Sequence, residues 1–323
     1  MADGGARAAA PGRSCPPHYG YSPRVFACAP QIAADTLYVI GGLYGNPFAL
    51  DAIDALAAAE PLPPTRVFNG DFHWFDAEPA LFARIQQRVI AHHALRGNVE
   101  TELAGDDGAA GCGCAYPESV PDDDVDRSNA ILARLRGVAD RAVDRAALGA
   151  LPMHRTAQVG ALRVGIVHGD AWSLAGWRFA HDALHDPDQH ERLQAAFELG
   201  AVDAFACSHT CAPALAAIGE RFVINNGAAG MANFAGDPRG LLTRISVRAL
   251  PAALAGARVY GLHQRDVWVD ALAIDFDLAA WLRLFDEIWP PSSPAAVSYR
   301  ARIAAGPSFT IDAALGRETA SCA

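Results

Sequence analysis

Arg66-Val67-Phe68-Asn69-Gly70-Asp71 is a short β-prone run that stops at a glycine and a carboxylate. The β-branched and aromatic residues suit a strand, and Gly70 ends it. Upstream, Thr36-Leu37-Tyr38-Val39-Ile40 is a second such run, ending in Gly41-Gly42. Between the two, Pro47 opens a stretch with Leu50, Ile53 and Leu56 at helical spacing, and Pro61 and Pro63-Pro64 close it after Glu60. Strand, helix and strand in this order predict a layered α/β fold.

The pattern continues downstream. Helices are predicted over about 77–93, 127–148, 176–199 and 278–288, and strands over 162–168, 204–208, 221–225, 241–247 and 267–276. Residues 1–33, rich in Gly, Ala, Pro and Ser, read as a loosely held arm. A domain is predicted over 34–256, interrupted at about 105–126 by a loop holding Gly111-Cys112-Gly113-Cys114 and Asp122-Asp123-Asp124. Residues 257–323 read as an extension, its tail irregular after Pro290-Pro291, with Trp268, Trp281, Phe285 and Trp289 packed onto the core.

Composition removes whole classes of chemistry. The 323 residues carry 36 acidic and 26 basic side chains, a formal charge of -10, and every basic residue is arginine. Without lysine there is no Walker A site, no Schiff base and no Ser-Lys dyad. An acidic chain with no basic run lacks the positive surface that nucleic-acid binding needs. No apolar span reaches membrane length and the first residues lack a secretory apolar core, so a cytoplasmic protein is expected. Seven cysteines in that setting suggest thiols or metal ligands before disulfides.

Polar residues recur where apolar strands end: Asp71, Asn98, His168 and His209. Singly, each has an ordinary explanation, as a helix cap, a turn residue or a buried histidine. In order, the segments Gly70-Asp71, Gly97-Asn98-Val99-Glu100, Val167-His168-Gly169-Asp170 and Ser208-His209-Thr210-Cys211 resemble the motifs of the calcineurin-like metallophosphoesterase family. Ile224-Asn225-Asn226-Gly227-Ala228 looks like a turn of its small bacterial phosphodiesterase branch. The resemblance covers about residues 36–250. It implies a four-layer α/β/β/α sandwich and a metal site at Asp71, Asn98, His168 and His209.

The departures fall on one side of that site. The family's second metal would be held at positions where this chain has Gly42, Tyr44 and Cys211, and Val99 stands where the family has a histidine. Cys112, Cys114 and Cys211 are candidates for a rebuilt, thiolate-rich site beside Asp71. His73 is a candidate proton donor or further ligand. Arg96 and Arg127 are candidate phosphate clamps.

One carboxylate, one amide oxygen and two imidazoles suit zinc, manganese or iron, as one ion or two. The resemblance therefore implies a phosphomonoester or phosphodiester hydrolase in which a metal-bound hydroxide attacks a small phosphate ester. The alternative is an inactive member of the fold, serving as a scaffold or metal-binding sensor. No nucleic-acid or membrane partner is expected, and self-association is left open.

Overall fold

The computed structural model describes residues 10–105 and 108–317. The ends of the expected arm and tail (1–9 and 318–323) and residues 106–107 of the expected insert lie outside the described residues. The first half of the chain runs β1 (Ile32–Ala33), β2 (Thr36–Ile40), α1 (Pro47–Ala58), β3 (Thr65–Asn69), α2 (Pro79–Ile90), β4 (His93–Leu95), α3 (Asn98–Ala104), α4 (Asp122–Ala142) and α5 (Arg145–Gly149). Next come β5 (His154–Val159), β6 (Leu162–Val167), α6 (His181–His185), α7 (His190–Gly200), β7 (Ala204–Cys207), β8 (Ala214–Ile218) and β9 (Arg221–Asn225). The chain closes with β10 (Gly240–Ser246), β11 (Arg258–Gln264), β12 (Val267–Ile274), α8 (Leu278–Ile288), α9 (Pro294–Ala305) and α10 (Ile311–Ala314).

The strands form two six-stranded sheets, ordered β1-β5-β6-β7-β9-β8 and β11-β12-β10-β2-β3-β4. Their inner faces share one apolar core, in which Val39, Val67 and Val269 of one sheet meet Val164, Ile166 and Ile224 of the other. Helices α1, α2, α4 and α8 cover the outer face of the second sheet through Ile53, Phe82, Leu135 and Phe285. Helix α7 covers the first through Leu193 and Phe197. This is the expected four-layer α/β/β/α sandwich.

Within the sheets β2, β3 and β4 run parallel, as do β6, β7 and β9. Side-chain amides fasten their carboxyl ends across the gap. Asn69 Nδ2 donates to the Val167 carbonyl at 2.8 Å, and Asn226 Nδ2 donates to the carbonyls of Gly41 and Leu241 at 3.0 and 2.9 Å. The loops that follow these strands therefore meet at one edge, the usual ligand position of α/β folds.

Several sequence-based boundaries need correction. An edge at 256 cuts the second sheet, because β12 pairs with β10 from Gly240 to Ser246 and β11 pairs with β12. Trp268 belongs to β12, its ring 4.1 Å from that of His263, whereas Trp281, Phe285 and Trp289 are buried in the core as expected. The arm is not loose over its described part: Tyr19 and Phe26 are wholly buried and β1 extends the first sheet. Asp122–Asp124 form the first turn of α4 rather than a loop, where carboxylates complement the helix dipole. Pro187 interrupts the helix expected over 176–199. After Pro290 the tail is helical, because Ser293 caps α9 and Pro294 fits its first turn. No helix among the described residues is long and apolar enough to cross a membrane.

Candidate metal centre

Asp71 follows β3 with a left-handed backbone, φ 52°. The buried Glu100 holds it there: one carboxylate oxygen accepts the N–H groups of Gly97 and Asp71 at 2.8 and 2.9 Å, the other that of Phe72 at 3.1 Å. Asp71 Oδ1 accepts the Val99 N–H at 3.2 Å, which turns Oδ2 toward His168 Nε2 at 3.3 Å. Gly97 is required by this crowding, since a Cβ there would lie 2.3 Å from Asp71 Oδ1.

Three other side chains converge on the same point. His168, after β6, donates from Nδ1 to the Asn69 carbonyl at 3.0 Å. His209, after β7, donates from Nε2 to the Cys114 carbonyl at 3.1 Å. Asn98, opening α3, donates from Nδ2 to the Cys112 carbonyl at 2.9 Å. Because carbonyls only accept, these bonds leave His209 Nδ1 and Asn98 Oδ1 as lone pairs, and both lie 3.0 Å from His168 Nε2. Asp71, His168 and His209 offer ligand atoms within 4.8 Å of one another, all buried.

Lone pairs facing one another among buried side chains are stabilised by a positive charge between them. His168 Nε2, at the centre of the cluster, is the position where a proton or a cation meets all of them. Burial acts against that proton, but the Asp71 carboxylate beside the ring prevails and raises the His168 pKa above its ordinary value. His209 is pushed down to about 3 by burial and by His168, so it stays neutral. Asp71 is held low by His168 and His209 despite its burial, while burial and the Asp71 charge push Glu100 up. A divalent transition ion satisfies the same donors without a proton, and carbonyl-anchored imidazoles are the usual support of such a site. The residues present fit a metal.

The other sequence candidates are distributed differently. No cysteine joins the cluster of Asp71, His168 and His209 among the described residues. The carbonyls of Cys112 and Cys114 accept from Asn98 and His209, the Cys114 sulfur lies 3.5 Å from Asn98 Nδ2, and burial pushes the thiols of Cys114 and Cys211 above the ordinary cysteine range. Cys211 Sγ lies 2.7 Å from the Tyr44 hydroxyl. The Tyr44 ring fills the space beside Gly42, where an added Cβ would come within 2.8 Å of it.

His73 lies outside the ligand cluster and does not line the cavity. It is wholly buried, bonded to Asp76 at 2.6 Å and Gln86 at 3.0 Å, and stacked on Phe82 at 3.5 Å. Two residues from Asp71 in sequence, it turns into the layer beneath α2. Arg96 is spent on the Gly149 carbonyl, and Arg127 on Ser298 and Asp124 at 2.7 and 2.6 Å. Neither arginine lines the cavity.

That cavity, about 290 Å³, opens over Asp71, Asn98 and His209. Its walls include the aromatic residues Trp74, Tyr116, Trp177 and Tyr299, and Trp177 meets the His209 ring edge to face at 5.4 Å. Arg302 of α9 also lines it. No sequence signal marked Arg302, because the tail after Pro290 carries no motif. Glu100 stood inside a motif, but its hold on three amides was not readable from spacing.

No family model matches the sequence, and no curated protein matches it. Solved structures do match. A metallophosphoesterase from Sphaerobacter thermophilus aligns with TM-score 0.50 and 17% identity over 84% of this chain and 100% of that one. A hypothetical protein from Pyrococcus horikoshii OT3 aligns with TM-score 0.55 and 14% identity over 86% and 100%. At such identities the likeness concerns architecture. The chain has the metallophosphoesterase fold, with a candidate metal-binding triad of Asp71, His168 and His209 at its strand ends.

Proposed function

We propose that the protein is a metal-dependent phosphoric ester hydrolase working with one divalent transition ion, zinc, manganese or iron, at Asp71, Asn98, His168 and His209. The observation that carries this reading is the meeting of Asp71 Oδ2, Asn98 Oδ1 and His209 Nδ1 at His168 Nε2, below an open cavity. An ion bound there supplies a Lewis acid for a phosphoryl oxygen and lowers the pKa of water. The chain's own part is to hold the donors still. The carbonyls of Asn69, Cys112 and Cys114 fix three of them and Glu100 fixes the fourth. The aromatic walls limit water around the reacting ester and set a small substrate.

A single ion is favoured because Gly42 has no donor atom and the Tyr44 hydroxyl is bonded to Cys211. The reading does not distinguish a phosphomonoester from a phosphodiester. Purified protein is to be analysed for metal and assayed with p-nitrophenyl phosphate and bis(p-nitrophenyl) phosphate after loading with zinc, manganese or iron. One ion per chain is expected, with turnover of at least one ester. His168→Ala is expected to lower both metal content and activity by about a hundredfold or more. A tightly held ion with no turnover of either ester would make the protein a metal-binding sensor or scaffold instead.

A further inference from the structure

We propose that Arg302 is the anion-binding residue of the cavity, and that the cavity takes a phosphate ester bearing a flat aromatic group, seated against Tyr116, Trp177 and Tyr299. This assignment rests on the hydrolase reading and adds a substrate class to it.

Among the described residues lining the cavity, Arg302 is the one arginine. Its hydrogen bonds go to backbone carbonyls, from Nη2 to Cys211 at 2.6 Å and from Nε to Ala232 at 3.3 Å. Many arginines of this chain face a carboxylate, as Arg127 faces Asp124 and Arg300 faces Asp286. Arg302 is held in position without being neutralised. A guanidinium has five N–H donors, so a planar fork remains for an oxyanion.

Its anchor matters as much as its charge. Cys211 is two residues beyond His209, so the guanidinium is tied to the same strand-end turn as a metal ligand. Asp124, the acidic wall residue away from the ligand cluster, is itself bonded to Arg127 and does not cancel Arg302. With no lysine in the chain, a permanently cationic side-chain clamp for phosphate has to be arginine. The remaining wall is aromatic: Tyr116 and Trp177 lie 6.1 Å apart at 46°, and the Trp177 ring is fixed by its N–H bond to the Cys114 carbonyl at 3.0 Å. Rings so placed favour a flat, polarizable partner over an alkyl chain.

The test uses phosphonates, whose P–C bond is not hydrolysed, so that binding is read apart from turnover. Zinc-loaded full-length protein is titrated with phenylphosphonate and methylphosphonate by calorimetry. Phenylphosphonate is expected to bind about tenfold more tightly or better. Arg302→Gln is expected to weaken both about tenfold or more, with Arg302→Lys recovering part of the loss. Tyr299→Ala is expected to reduce the phenyl preference and leave methylphosphonate unchanged. Equal affinities for the two phosphonates, or an Arg302→Gln protein that binds as wild type, would overturn the assignment. Should Arg302→Gln lose its zinc, Tyr299→Ala decides, and an unchanged phenyl preference in that variant rejects the proposal. Phosphonate binding without ester turnover would sink the hydrolase reading and leave Arg302 as the anion-binding residue of a non-catalytic cavity. Turnover with equal phosphonate affinities would do the reverse.

Discussion

Glu100 shows how one side chain sets the geometry of another. Its two oxygens gather the amides of Gly97, Asp71 and Phe72 within 3.1 Å, and the left-handed turn at Asp71 persists because those amides share a carboxyl acceptor. Glu100→Gln replaces one acceptor with a donor facing N–H groups. We expect a stability loss of about 2 kcal/mol, read from urea unfolding of the metal-free protein, and metal affinity lowered roughly ten- to hundredfold in a chelator competition. An unchanged affinity would mean that the Asp71 turn stands without this support. Asp71, Asn98, His168 and His209 could be picked out in the sequence because, as strand-end or turn residues, they fall in order within motifs that resemble one family, although each alone has an ordinary explanation. His73, Arg96 and Arg127 misled for different reasons. For His73 and Arg96, proximity in sequence to a ligand does not set the direction of a side chain, and Arg127, singled out because it follows the 105–126 loop, turns to Ser298 and Asp124 instead.

At the scale of elements, β10 carries an arginine into the core. Arg244 is wholly buried, bonded to Glu60 beyond α1 at 2.6 Å and to Asp270 of β12 at 3.2 Å, while the Tyr38 hydroxyl of β2 donates to Glu60 at 2.9 Å. The group ties α1 to three strands of the second sheet. Arg244→Met leaves Glu60 without its cation in a dry layer, and a loss of about 3–5 kcal/mol is expected in chemical denaturation. Metal content per chain should stay unchanged, which separates this staple from the metal centre. The strand pattern around residue 244 was visible in the sequence, whereas the ion group was not, because its members lie 184 and 26 positions apart. The same holds for β11 and β12, whose membership of the second sheet depends on the pairing of β12 with β10 and of β11 with β12 rather than on any local pattern.

For the whole molecule, the proposed function sets protons and a metal in competition for one candidate site. The raised His168 pKa means that its proton stabilises the metal-free fold below the ordinary histidine range, and that this contribution is lost as pH rises through the folded value. His209, at about 3, works in the opposite sense: its neutral form is lost to the unfolded chain as pH falls below the usual histidine value. An ion must displace the His168 proton, so its affinity should rise with pH, and the thermal shift on adding zinc should be larger at pH 8 than at pH 6. At free zinc about 100 times the dissociation constant the gain is about 2.7 kcal/mol. Scanning calorimetry with and without a chelator at both pH values checks this. A shift that is larger at pH 6 would contradict the lone-pair description of the cluster.

What the sequence by itself determined is local: where strands and helices run, which polar residues stand at strand ends, and that lysine chemistry is absent. Periodicity and chain breakers act over a few residues, so they survive in a one-dimensional reading. Tertiary structure alone decided that the carbonyls of Cys112 and Cys114 anchor Asn98 and His209, that His73 is buried against Asp76 and Gln86, and that Arg302 reaches the cavity from the tail. Each depends on a contact between distant segments, and the direction of a side chain at such a contact is set by the packing around it.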